Sequence, residues 1–306
     1  MITLDTTPPF DWAPIAAFLA ARAIPGVEAV DGNGYRRSIR VDDVPGTIEI
    51  QPTDLGLEAT IDGPPADDAI GSRLRRWFDL DADVDAIDRH LARDPMLAPL
   101  VAAHPGLRVP GAWDPFELAI RAIVGQQVSV AGARTIAGRI VARAGDRLPT
   151  SSGSVGALFP TPDQLAAADL SSIGMPGARA RAIVGFASAV AGDPGLLAPS
   201  DDLEAIVRRL KSLPGIGEWT AQYVALRGLK YPDAFPASDL GILRGLAGPD
   251  GRRRTPAEVL GRAEAWRPYR AYAAQHLWAA SEPGQIPTPR PLGTVARSDV
   301  SSRSRS

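Results

Sequence analysis

"LKSLPGIGEWTAQYVALRGLKYPDAFPASDLGIL", residues 210–243, holds a turn and an aspartate from which the rest of the chain can be interpreted. Gly215 and Gly217 flank Ile216 in a turn too short for bulky side chains, so backbone N–H groups are left open at the helix that starts near Glu218. Helix N-termini carry unpaired donors and partial positive charge, which suits an anion such as a phosphate. The same turn also serves as an ordinary helix connection in which glycine supplies only backbone freedom. Trp219 and Tyr223 stand at i and i+4 on one helix face, as a core pair or as rings on which a base can stack. Asp239 follows Trp219 by twenty residues in "ASDLGIL", where either Ser238 or Asp239 can cap a helix. Each feature alone has two readings.

Outward from this stretch, everything between Asp114 and about Ala280 reads as helices divided by Gly and Pro, among them "DPFELAIRAIVGQQ", "TPDQLAAADL", "PGARARAIVGFASAVAG" and "RPYRAYAAQHLWAAS". Ser200 or Asp201 can cap one helix, Gly228 follows another, and Thr255 precedes Pro256 in a first turn. The N-terminal part differs. A helix over Ile15–Ala23 stops at Pro25-Gly26, and "YRRSIRV", "GTIEIQ" and "LEATID" alternate as three antiparallel strands. "DGNG" at 31–34 is a turn. The expected organisation is residues 1–112 as an α/β domain with its helical connection, 113–282 as a helical domain, and 283–306 as a disordered tail rich in Pro, Ser and Arg.

Composition narrows the chemistry. The chain has no cysteine, which excludes disulfides, thiolate zinc sites, cysteine nucleophiles and cysteine-held iron–sulfur clusters. His90, His104 and His276 show no metal-ligand spacing, so no side-chain metal site is expected. The start, "MITLDTTPPFDW", lacks the features of a secretory signal, and no apolar run is long enough to span a bilayer, so a cytoplasmic protein without membrane contact is expected. Net charge is −2, but it is unevenly spread: residues 54–98 hold eleven acids against five arginines, whereas residues 251–306 hold ten arginines against four acids. Basic groups also surround the Pro-Gly-Ile-Gly turn.

Taken together, "LPGIGEWTAQYVALRG" and "FPASDLGI" resemble the helix-hairpin-helix DNA glycosylases. "PPFDWAPIAAFLAARAIPGVEAV", "LRVPGAWDPFELAIRAIVGQQVSVAGA", "FPTPDQLAAADL", "GMPGARARAI" and "WRPYRAYAAQHLW" are similar to segments of the AlkA-type 3-methyladenine DNA glycosylases, so the resemblance covers about residues 1–280 in order. It implies a mostly α fold with an N-terminal α/β domain and two helical subdomains flanking the active-site cleft. It also implies a monofunctional enzyme that flips and hydrolytically excises alkylated purines of the 3-methyladenine and 7-methylguanine type in base excision repair. The partner is then double-stranded DNA containing alkylated bases, the protein a monomer, and no cofactor is needed.

By the same resemblance the catalytic aspartate is Asp239, and the base pocket takes Trp219, Tyr223, Trp278, Phe18 and Leu240. The DNA-binding hairpin residues are Leu213, Pro214, Gly215, Ile216, Gly217 and Thr220, in a loop that in the family often holds a metal ion on backbone carbonyls. The wedge that fills the gap left by a flipped base falls on Gln127, with Gln126 the next candidate, where the best-known relative has an apolar residue. Leu240 and Gly241 stand where that relative has a tyrosine and a leucine, which implies a roomier, less aromatic pocket. Bifunctional relatives carry a Schiff-base lysine two residues after the second hairpin glycine; here Glu218 and Trp219 follow, so lyase chemistry is not expected. Related domains also occur fused to alkyl-transfer regulatory domains, and a stand-alone form is expected here. A non-catalytic hairpin protein that binds DNA or senses damage is the alternative, and Asp239 beside Trp219 and Tyr223 favours the enzyme.

Overall fold

Alternation in the N-terminal segment produces a five-stranded antiparallel sheet, seen in a computed structural model that describes residues 1–246 and 254–281. The strands are β1 (Ile2–Asp5), β2 (Glu28–Asp31), β3 (Gly34–Val41), β4 (Val44–Thr53) and β5 (Gly56–Asp62), in the order β1-β5-β4-β3-β2. The three alternating segments form the centre. The two additional strands are the edges, each only four residues long and too short for alternation to register. Tyr35 pairs with Ile50 and Arg37 with Ile48, so the inward face carries an arginine between Tyr35 and Ile39. The apolar part of this face packs with Trp12, Ile15 and Leu19 of helix α1 (Trp12–Arg22) and with Ile70, Leu74, Trp77 and Phe78 of α2 (Asp68–Phe78).

The chain then runs through α3 (Val84–Leu91), α4 (Ala98–Ala103), α5 (Pro115–Val124) and α6 (Val130–Ala144). After a break come α7 (Pro162–Ala166), α8 (Gly177–Gly192), α9 (Leu203–Lys211), α10 (Glu218–Tyr223), α11 (Leu240–Gly245), α12 (Pro256–Ala263) and α13 (Arg270–Ser281). One apolar core joins α5, α8, α10, α11 and α13, with Phe116 stacked on Phe186 at 6.1 Å. Thr161 and Thr255 each complete a capping box with the residue three positions on. The cap of α9 is Asp202, which accepts from the Ala205 amide at 3.0 Å, and not Ser200 or Asp201; three cap-type residues stand in a row there.

Two departures from an all-helical body matter. Residues Arg147–Ser152 (β6) and Val155–Ala157 (β7) form a two-stranded ribbon. It is anchored outside itself, the Gly156 and Ala157 amides donating to the Gly26 carbonyl and Ser38 Oγ donating to the Ala157 carbonyl. Those anchors lie more than a hundred residues away, so local sequence does not announce them. The second departure is the stretch Val224–Gly228 directly after α10, which is π-helical: the Leu229 amide bonds the Val224 carbonyl five residues back. Such widened turns gather at functional sites. The expected tail, 283–306, lies outside the described residues.

Candidate active site

A cleft of about 1280 Å³ opens between the sheet-bearing part and the helical body. Its walls come from α1, α5, the loop before α6, α10 with its π-helical extension, the start of α11, and α13. Asp239 stands in it as the N-cap of α11, so that local sequence alone fixes its backbone: Oδ1 accepts from the amides of Gly241 (2.8 Å) and Ile242 (3.2 Å). Two indoles complete its environment. Trp219 Nε1 donates to Oδ2 at 2.7 Å, and Trp278 Nε1 donates to Oδ1 at 2.8 Å. The sequence allowed Asp239 to be a cap or a functional carboxylate; it is the cap of α11, and its carboxylate also lines the cleft. Four donors converge on it, an arrangement complementary to negative charge and fixed in advance of any ligand.

The aromatic side chains named from the sequence gather here. Trp219 and Tyr223 are stacked at 5.1 Å and 12°, Tyr223 meets Trp278 edge-on at 6.2 Å, and Phe18 faces them from α1. Leu240 stands apart from these rings at the cleft mouth, 62% exposed. The sequence reading missed a residue at the centre of the group: Arg227, 2% exposed, lies over the rings of Phe18 (4.4 Å), Trp278 (4.8 Å) and Tyr223 (5.6 Å). Its position four residues after Tyr223 and eight after Trp219 was the available signal.

Between α9 and α10, Leu213 to Gly217 form the hairpin, with Pro214, Gly215 and Gly217 exposed and Ile216 buried in the core. Gly215 has φ +81°, and a Cβ there would lie 2.4 Å from Ala182 Cβ, so the turn requires glycine for close packing on α8. Gly217 faces open space. Thr220 is buried, and its hydroxyl accepts from Gln126 Nε2 at 3.0 Å; the same amide donates to the Gly215 carbonyl at 3.1 Å. Thr220 therefore braces the hairpin from inside, and it also lines the cleft. Gln126 is likewise engaged, while Gln127 is exposed at the cleft rim with φ +58° and makes no side-chain hydrogen bond among the described residues. Leu213 O accepts from the Ile216 amide at 3.2 Å. A carbonyl oxygen has two lone pairs, so the Leu213 and Gly215 carbonyls retain capacity for a backbone-held ion. No cluster of three metal-ligating side chains occurs among the described residues.

At the inner wall lies an ion network that the sequence did not reveal. Arg37 of β3 donates to Glu117 of α5 at 2.5 Å; Arg121 Nε donates to Glu117 at 2.9 Å, and Arg121 also bonds Glu28 of β2. Tyr35 hydroxyl donates to Glu28 at 2.5 Å. Burial by itself pushes the Glu117 carboxyl up, but the Arg37 and Arg121 guanidiniums hold it below the ordinary carboxylate value. Burial also pushes the Tyr35 hydroxyl well above its ordinary value. Arg121 continues to the Arg22 carbonyl at 2.9 Å, which ties the network to the end of α1 that carries Phe18.

A hairpin entering a helix, an aromatic cleft and an aspartate held at its wall define a helix-hairpin-helix base excision DNA glycosylase. Residues 1–114 match the family model of the AlkA N-terminal domain, and residues 120–269 that of the HhH-GPD superfamily of base excision DNA repair proteins. The chain belongs to the AlkA-type DNA-3-methyladenine glycosylase family within that superfamily. It is 38% identical over 287 residues to DNA-3-methyladenine glycosylase 2 of Escherichia coli strain K12, covering 91% of this chain and 96% of the relative. The 3-methyladenine DNA glycosylase of Archaeoglobus fulgidus superposes with a TM-score of 0.80 at 22% identity, over 92% of this chain and 98% of that one. The Schizosaccharomyces pombe 3-methyladenine DNA glycosylase, solved in complex with abasic DNA, gives 0.52 at 26% identity, over 63% and 95%. These relatives are glycosylases, and none supports the non-catalytic alternative. Among the described residues no helix is long and apolar enough to cross a membrane.

Proposed function

We propose that the protein is a cytoplasmic, monomeric, monofunctional glycosylase that extrudes an alkylated purine of the 3-methyladenine or 7-methylguanine type from duplex DNA and hydrolyses its N-glycosidic bond. The carrying observation is the Asp239 carboxylate, fixed by two indoles and two helix amides beside rings able to stack on an extruded base. As the C1′–N9 bond breaks, its electron pair goes to the base and positive charge develops on the sugar. Asp239 stabilises that charge, orients the water whose oxygen bonds C1′ and takes the proton that this water loses. An N-alkylated purine that starts as a cation leaves neutral, so no general acid is required. Only two lysines exist in the chain: Lys230 is paired with Asp79 and Lys211 with Glu218, and neither lines the cleft. A hydrolytic reaction without a Schiff base fits this arrangement. Arg22, Arg121, Arg134 and Arg244 line the cleft and suit a polyanion. In this reading the segments 1–112 and 113–282 form its two walls. Incubation with N-methylated duplex, each released base being identified, tests the proposal, and absence of any free methylpurine would refute it.

For the hairpin, the informative substitution is Gly217→Val. No protein atom lies within 4 Å of a Cβ built there, so folding should be unaffected, while the side chain occupies the space in front of the helix amides. A hydrogen bond to a charged group contributes about 1.5–3 kcal/mol, so affinity should fall by roughly tenfold or more. The loss should be equal for damaged and undamaged duplex, because phosphate contacts carry no sequence information. Titrations that showed the loss only on damaged duplex would remove the hairpin from phosphate binding.

Gln127 is proposed as the wedge. Extrusion costs a few kcal/mol of unstacking and unpairing, and the vacated space must be filled. Gln127→Ala is expected to slow excision from duplex by about tenfold more than from single-stranded DNA, where no gap forms. Comparison of single-turnover rates on the two substrates checks this, and equal slowing would make Gln127 a structural residue instead.

A further inference from the structure

Arg227 has no role in the mechanism above, yet it is the most enclosed charge in the cleft. Its two terminal nitrogens are taken: one donates to the Pro110 carbonyl at 2.6 Å and the other to Gln275 Oε1 at 2.8 Å. Nε is buried and makes no hydrogen bond of good geometry among the described residues, with the Tyr223 hydroxyl as the neighbouring polar group. Burial pushes the guanidinium below its ordinary value, with the Tyr223 hydroxyl and the Asp239 carboxylate acting in the opposite sense. It occupies the place a cation takes against Phe18, Tyr223 and Trp278.

We propose that Arg227 is a specificity-determining residue that disfavours resting capture of a positively charged base and favours a neutral purine that leaves as an anion. The inference rests on the base-pocket reading given above. Rings that already hold a guanidinium have less attraction left for a cationic base, so a cationic lesion is not selected by its charge. Once bound, such a base lies near a fixed positive charge that is relieved as its own charge moves to the sugar, beside Asp239. That interaction differs between ground and transition states, which is the condition for acceleration. With a neutral purine, breaking the C1′–N9 bond leaves the electron pair, and a negative charge, on the base. Arg227, fixed among the rings, stabilises that charge through space, after which the base takes a proton from solvent while water adds to C1′.

The test uses the full chain and two duplexes, one with 7-methylguanine, a cationic base, and one with hypoxanthine, a neutral one. Half-saturation and single-turnover rate are measured for wild type, Arg227→Met and Arg227→Lys. With Arg227→Met, hypoxanthine release should fall by roughly tenfold or more relative to 7-methylguanine release, and half-saturation on 7-methylguanine should tighten. Arg227→Lys, which keeps the charge, should move the ratio less. A ratio is insensitive to the fraction of protein that folds, so a stability defect in either variant does not mimic the result. An unchanged ratio, or no hypoxanthine release by wild type, would overturn the inference while leaving 7-methylguanine release, and with it the proposed function, intact.

Discussion

Asp239→Asn is expected to yield a folded protein that releases methylated purines from duplex on the order of 100- to 1000-fold more slowly than wild type, the usual cost of losing one preorganised electrostatic group. The geometry permits a close account of what the substitution changes. An asparagine oxygen placed at Oδ1 keeps the bonds from the Gly241 and Ile242 amides and from Trp278 Nε1, so α11 stays capped. The amide nitrogen then faces Trp219 Nε1, donor against donor. An unsatisfied donor costs about 1–3 kcal/mol, so the melting temperature should drop measurably without loss of the native fold. Substrate binding through the hairpin should persist, since Gly217 and its neighbours are untouched. A single-turnover rate within threefold or so of wild type, in protein whose near-ultraviolet spectrum is native, would remove Asp239 from the chemistry.

Glu117→Gln should be strongly destabilising for so conservative a change. Glu117 is 4% exposed and receives bonds from both Arg37 and Arg121. Its neutralisation leaves the buried Arg37 guanidinium and the partly buried Arg121 guanidinium facing Glu28 alone. Breaking a buried pair by removing one charge costs about 3–5 kcal/mol, a large share of the 5–15 kcal/mol that typically separates folded from unfolded protein. The loss is expected in urea denaturation at neutral pH. Its pH dependence follows from the direction of the shift: the folded carboxyl lies below its ordinary value of 4.5, so the stabilisation is present above about pH 4.5 and is lost as pH falls through the folded value. The gap between wild type and variant should therefore close in acid. Because Arg121 also holds the end of α1, excision should weaken through displacement of Phe18. A destabilisation below about 1 kcal/mol at neutral pH would mean that the network contributes little beyond its own desolvation.

The parts of this site that sequence revealed are those set by short-range spacing. Trp219 and Tyr223 at i and i+4, the two-glycine turn, and an aspartate opening a helix can each be read within a few residues of themselves. Family resemblance then related Phe18, Gln127 and Trp278 to them. Arg227 and the Glu28–Arg37–Glu117–Arg121 network escaped because their partners are distant: Arg227 bonds Pro110, and Arg37 bonds Glu117 across the two walls of the cleft. An arginine in an alternating strand and a glutamate in an apolar helix look locally like surface residues. The same limit hid the β6–β7 ribbon and the short edge strands, whose pairing is dictated by tertiary neighbours.

Gln126 spans from the loop that carries Gln127 to the Gly215 carbonyl and the Thr220 hydroxyl, and Arg179 of α8 donates to the Gln126 carbonyl. If the hairpin grips phosphate and Gln127 is the wedge, as proposed, grip and probe are mounted on one jaw. Such a tool would measure a constant offset along the duplex, so that each held phosphate would assign one base step to be interrogated. The search for damage would then advance in units of the DNA repeat, and a lesion would be found by which step yields, with no need to read the letters on either side.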